Sequence, residues 1–129
     1  MRLRRHTTDR EQQALRAALA DYGRTIQRQP HSVEAYFGRG RIHHALADYP
    51  AALADYQRAL ELDPHYGDAI YNTACAYALQ GQTALACEWL RRALGIHRKY
   101  LELCRSDPDF DPIRQTPEFQ AIVGEGVRG

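Results

Sequence analysis

The chain repeats itself at an interval of 34 residues, and nothing else in it constrains the fold as tightly. Ala18-Leu19-Ala20-Asp21-Tyr22 returns as Ala52-Leu53-Ala54-Asp55-Tyr56, and the match continues through Arg24 and Arg58, Ile26 and Leu60, and Pro30 and Pro64. A third copy keeps the pattern of sizes: Ala52 corresponds to Ala86, Tyr56 to Leu90, Ala59 to Ala93, Gly40 to Ala74 and Tyr36 to Ile70. Small residues at a fixed interval let helix backbones approach closely, and the bulky residues between them fill the space around each contact. One such unit has too little surface to bury its apolar side alone, so neighbours stack and share a continuous core. Alanine is the commonest residue while Val and Thr are scarce, which favours helix over sheet. The same five letters also stand out of phase at Ala45 to Tyr49, directly before Pro50. Proline suits the first turn of a helix, so Asp48 and Tyr49 read as the junction between two helices.

Periodicity and capping residues predict the elements. The first helix spans about Asp9 to Arg28, with Thr8 as N-cap and Glu11 completing a capping box. Helices follow at about Val33 to Leu46, Pro50 to Glu61, Tyr66 to Leu79 and Thr83 to Leu94, with Gly81 at a turn and Trp89 packing. Another is expected from about His97 to Arg105. Asp107-Pro108-Asp109-Phe110-Asp111-Pro112-Ile113-Arg114 reads as tight turns, after which Thr116 and Pro117 start a short helix that Gly124 stops.

A 34-residue period with these small residues, aromatics and closing prolines resembles the tetratricopeptide repeat family. Tyr36, Gly40, Ala52, Tyr56, Ala59 and Pro64 hold the family's places in the middle unit, and Ala74, Tyr77, Ala86 and Ala93 hold them in the next. Leu90 departs where an aromatic is usual, and Arg98 where the closing proline belongs. The resemblance implies an all-α, right-handed superhelical array of helix-turn-helix repeats with C-terminal capping helices. A basic arm (1–8) precedes a half unit (9–32), full units at 33–66 and 67–95, and a capping segment at 96–129. That last segment is similar to the closing segment of many bacterial arrays, which implies that Phe110, Ile113, Phe119 and Ile122 fold back as a hydrophobic plug.

Other classes of function find little support. Seventeen basic and 16 acidic side chains leave a net charge of +1, so bulk attraction to nucleic acid is not expected. Arg2, Arg4, Arg5 and Arg10 form a local basic cluster without the interleaved aromatics that stack on bases. No apolar run is long enough for a membrane span, and the basic N-terminus lacks the apolar core of a signal peptide. Three cysteines without a CxxC pair suggest reduced thiols and a cytoplasmic setting. Cys75, Cys87 and Cys104 lack zinc-ligand spacing, and His43 and His44, being adjacent, point about 100° apart on a helix. Asp107, Asp109, Asp111 and Glu118 stand at positions 1, 3, 5 and 12 of a calcium loop. Its sixth position, however, is Pro112, where the sharp turn needs glycine, so capping carboxylates and a salt bridge to Arg114 are expected instead. No phosphate-binding loop, nucleophile elbow or dinucleotide fingerprint is present. No catalytic residue, metal or cofactor is therefore expected, and a small hydrolase or metal-dependent enzyme is the remote alternative.

What remains is a surface. By the resemblance, the first helix of each unit lines a concave groove that takes a peptide or protein partner. The matching positions are Glu34, Phe37, Arg41 and His44, then Asp68, Tyr71, Asn72 and Cys75. Phe37 and Tyr71 are the aromatic anchors, and their joint replacement by alanine is expected to abolish capture with melting intact. Arg41 suits a partner's carboxylate. One subset of the family grips the C-terminal carboxylate of heat-shock chaperones with five polar residues. Here Asn72 keeps one of those places, while Phe37, Arg41, Glu102 and Ser106 depart at the other four, which argues against that ligand. The reading is a non-catalytic interaction module: an adaptor, assembly factor or small co-chaperone. The alternative is a self-associating repeat protein, in which a second protomer covers Ala14, Leu15, Ala18, Leu19 and Tyr22 of the unpaired first helix.

Overall fold

The computed structural model describes residues 7–128, so the arginines of the basic arm at positions 2, 4 and 5 lie outside the described residues. Among the described residues there are seven α-helices, one 3-10 helix and no strand. They are α1 (Asp9–Arg28), α2 (Val33–Ala45), α3 (Tyr49–Leu62), α4 (Gly67–Leu79), α5 (Thr83–Ile96), α6 (Lys99–Ser106), the closing 3-10 helix (Pro108–Ile113) and α7 (Pro117–Arg128). Helix starts follow their capping chemistry. The Thr8 hydroxyl accepts from the Glu11 backbone N–H at 3.1 Å, and the Glu11 carboxylate accepts from the Thr8 N–H at 3.1 Å. Ser32 and Asp48 cap α2 and α3 through the backbone N–H groups of Ala35 and Ala51.

Helices α2 and α3 pack as one hairpin and α4 and α5 as the next, with α3 against α4 joining them. The small positions of the repeat lie at these contacts: Ala52, Ala59, Ala74, Ala86 and Ala93 are fully buried, as are Tyr56 and Leu90 beside them. At Gly40 the approach is so close that a Cβ would stand 2.6 Å from the Tyr56 ring. Both hairpin turns close in the same way. The N–H of Ala47 reaches the carbonyl of His44 and that of Asp48 reaches His43, as Gly81 reaches Ala78 and Gln82 reaches Tyr77. Each turn needs one residue with a left-handed backbone, and it is Gly81 (φ 73°) in one and Ala47 (φ 62°) in the other. An alanine there carries a steric penalty that glycine avoids, so Ala47→Gly is expected to raise unfolding stability by about 1 kcal/mol. Urea denaturation checks this as a higher midpoint at constant slope.

Helix α1 packs on α2, yet none of its residues is buried. Ala18, Tyr22 and Thr25 correspond at the repeat interval to Ala52, Tyr56 and Ala59, which are 0% exposed in α3. The difference has a simple cause: α3 packs substantially on both α2 and α4, while among the described residues the substantial packing of α1 is on α2. At the other end, Phe110, Ile113, Phe119 and Ile122 close the core with their side chains buried. Trp89 is half-buried against this core, with the Arg92 guanidinium 4.4 Å from its ring centroid. Helix boundaries fall within two residues of expectation except at the end of α7, which passes through Gly124 and continues to Arg128. Glycine stops a helix by turning left-handed, and Gly81 is the one glycine with positive φ among the described residues. Gly124 instead keeps helical dihedrals, at a cost of about 1 kcal/mol relative to alanine. No helix among the described residues is long and apolar enough to cross a membrane.

Candidate functional site

Glu34, Phe37, Arg41 and His44 advance along one side of α2 by three or four residues at a time, and on α4 Asp68, Tyr71 and Cys75 do the same, with Asn72 next to Tyr71 and one turn before Cys75. The two helices bring Arg41, His44, Asn72 and Cys75 together around one cleft of about 240 Å³. Tyr56 lies at its base, where its hydroxyl meets His44 Nδ1 at 3.1 Å and the Asn72 side chain. The opposite wall belongs to the closing 3-10 helix, which contributes Asp109 together with its N-cap residue Asp107.

This wall is hydrogen-bonded to the very positions expected to meet a partner. Tyr71 donates its hydroxyl to Asp107 Oδ2 at 2.8 Å, and Cys75 Sγ lies 3.8 Å from the same oxygen. His44 Nε2 stands 3.0 Å from Asp109 Oδ2. An ionised carboxylate only accepts, so in the neutral imidazole Nε2 carries the proton and Nδ1 accepts from Tyr56. Burial pushes the Tyr71 hydroxyl and the Cys75 thiol to higher pKa, and the Asp107 carboxylate adds to both shifts. Both groups stay protonated at neutral pH and act as donors.

The closing segment is itself held from behind. Asp107 Oδ1 caps the turn by accepting from the Asp109 N–H at 3.0 Å, and Arg114 pairs with Asp111 at 3.0 Å. The same guanidinium gathers the carbonyls of Cys104, Arg105 and Asp107. The acidic run thus consists of capping and docking groups. Cys75 Sγ and carboxylate oxygens of Asp107 and Asp109 do lie within 4.8 Å of one another. Each of the three is engaged in the hydrogen bonds just described, so the grouping is accounted for without an ion.

The eight expected positions therefore divide. Tyr71 (6% exposed) and Cys75 (1%) lie beneath the closing segment, with Tyr100 stacked on the Tyr71 ring and Phe110 tilted against it. Tyr71 anchors this chain's own turn, and replacing it removes core rather than an open contact, so melting would not stay intact as expected above. Asp68 accepts from the Tyr100 hydroxyl at 2.7 Å. Glu34 and Arg41 are exposed, while Phe37, His44 and Asn72 are half-buried. Phe37 meets Tyr66 edge-on at 5.2 Å and Tyr56 at 5.9 Å, with the Arg41 guanidinium 5.9 Å from its ring centroid. Tyr56, Tyr66, Asp107 and Asp109 belong to the site without having been expected there. The repeat interval holds one usable signal, because it places Tyr66 and Tyr100 in equivalent positions.

Stacked helical hairpins with a concave cleft and a closed C-terminal end define a helical-repeat array. Residues 33–66 match the tetratricopeptide repeat family and residues 55–88 match a second tetratricopeptide repeat form, so the segment from 33 to 88 is built of tetratricopeptide repeats. Among solved structures, two crystal structures of MamA superpose with TM-scores of 0.68 and 0.69. Both are 22% identical and cover 88% of this chain, against 59% and 63% of their own, so the chain spans about three fifths of the MamA chains it matches. The TPR2B domain of yeast Sti1, solved in complex with pHsp70, has a TM-score of 0.62 at 23% identity, covering 90% of this chain and 85% of its own. These likenesses establish the fold. No curated protein matches the sequence.

Proposed function

We propose that the chain is a non-catalytic protein–protein interaction module, an adaptor, assembly factor or small co-chaperone, that presents the open half of its concave face to a peptide or protein partner. The observation that carries this reading is Phe37, a half-buried aromatic beside exposed Arg41, itself part of the lining of a preformed cleft, while the other half of the face is filled by the chain itself. A groove built on packed helices lowers the ordering cost of binding, and aromatic and arginine side chains dominate interface energetics. The yeast Sti1 domain, which shares this fold, was solved with a bound chaperone segment, which supports a polypeptide partner. The four departures at the chaperone-clamp positions direct the search to other polypeptides. In this reading the module comprises a half unit at 9–32, full units at 33–66 and 67–95, and the cap that follows. Three free, buried thiols suit a reducing compartment such as the cytoplasm.

Affinity capture from source-cell extract identifies the partner, and Phe37→Ala tests the surface. The purified partner is expected to bind the variant at least tenfold more weakly, with circular dichroism unchanged. Undiminished binding by the folded variant moves the site off this face. A second reading, self-association through α1, is favoured by its incomplete burial relative to the equivalent positions of α3. Light scattering across a concentration series tests it, and a strict monomer removes it.

A further inference from the structure

The concave face carries an aromatic pair at equivalent positions of two successive units, with one pair covered and the other open. At the 34-residue interval Phe37 corresponds to Tyr71, Tyr66 to Tyr100 and Glu34 to Asp68. The ring pairs recur in space with centroids 5.2 Å apart in each, although Phe37 meets Tyr66 edge-on while Tyr71 and Tyr100 are stacked. On α4 the closing turn completes the arrangement. Phe110 sets its ring 5.8 Å from Tyr71, and Asp107, three residues earlier, accepts from the Tyr71 hydroxyl and approaches Cys75. On α2, Phe37 stays half-buried where Tyr71 is buried, and the place of Cys75 is taken by Arg41. A thiol is a weak donor to a carboxylate. A guanidinium offers a charged fork that binds the same group in two parallel hydrogen bonds.

We infer that the Phe37–Tyr66 platform with Arg41 is a docking site for an acidic–aromatic turn of a partner protein, with an Asp or Glu three residues before a Phe or Tyr. Such a segment repeats on α2 what Asp107 and Phe110 do within this chain on α4. The inference rests on the concave-face reading and specifies the chemistry that face accepts. The carboxylate pairs with Arg41, and the ring packs against Phe37 as Phe110 packs against Tyr71. A proline after the acidic residue, as Pro108 follows Asp107, sets the turn in advance and lowers its ordering cost.

The probe is an acetylated, amidated peptide with the sequence of residues 105–115, titrated into the isotope-labelled full chain and followed by NMR. Saturable shifts are expected at Phe37, Arg41 and Tyr66, with Tyr71, Tyr100 and Phe110 unmoved. Phe110→Ala or Asp107→Asn within the peptide is expected to weaken binding at least tenfold. The protein variant Arg41→Glu loses the same factor and regains it with a peptide carrying Asp107→Lys. Shifts confined to α4 and the closing turn mean that the peptide only replaces the chain's own segment, as a second copy would, and overturn the inference. Absence of shifts on α2, where native capture still depends on Phe37, overturns this chemistry and leaves the concave-face reading standing. Capture indifferent to Phe37→Ala overturns that reading too.

Discussion

Phe110→Ala is expected to destabilise the protein by about 4 kcal/mol, the range found when a buried aromatic is truncated. The Phe110 ring is fully buried, stacked on Phe119 at 5.4 Å and tilted against Tyr71, in the same cluster as Leu90, Ile113 and Ile122. Alanine leaves a hole that the neighbours cannot close, because Arg114 holds the segment on both sides through three carbonyls and Asp111. In a repeat array each unit draws its stability from its neighbours, so the loss concentrates at the end it uncovers. The concave side of α4 opens first, and with it Cys75. Alkylation of Cys75 under native conditions, read by mass spectrometry of its peptide, is expected to accelerate on the order of a hundredfold or more. A variant losing less than about 1 kcal/mol in denaturant, with Cys75 still protected, would show that the closing segment is not held by its core side chains.

Local chemistry made much of this fold legible. The bounds of α1 are readable because Thr8 and Glu11 satisfy each other within one turn, and the hairpins because small residues recur at a fixed interval. Gly124 misleads since residue identity does not specify backbone handedness; the same residue type turns the chain at Gly81 and continues a helix at 124. Ala47 is the converse, an alanine at a turn where glycine is the expected signal. The closing segment was readable as a plug but not as an occupant of the concave face. Its contacts with that face join residues 65 apart (His44 and Asp109) and 36 apart (Tyr71 and Asp107), and no short-range pattern encodes them. The carboxylates of the acidic run read locally as helix caps. Asp107 does cap with one oxygen, and its other oxygen docks on Tyr71.

Arg39→Met is expected to cost about 3–5 kcal/mol, and more than the removal of its partner. The two oxygens of Asp55 on α3 receive Nε and Nη2 of Arg39 on α2, each at 2.8 Å. Asp55 is 5% exposed, so most of the solvation of its carboxylate must come from protein groups. Without Arg39 the carboxylate keeps His43 beside it, with Nε2 at 3.7 Å and a positive charge only if that imidazole is protonated. Asp55→Ala is milder, about 2 kcal/mol, because the Arg39 side chain is already 29% exposed and can turn to solvent along the Tyr36 ring. The double variant Arg39→Met with Asp55→Leu is expected to be more stable than Arg39→Met alone, since an apolar pair leaves no charge to solvate. Denaturation midpoints of the three variants give this order, and an Arg39→Met protein close to wild type would show that the carboxylate is reached by water. The pair also has a positional role. Arg39 lies between Phe37 and Arg41 on α2, and its fork fixes that helix against α3, so loosening it blurs the aim of both side chains before the hairpin unfolds.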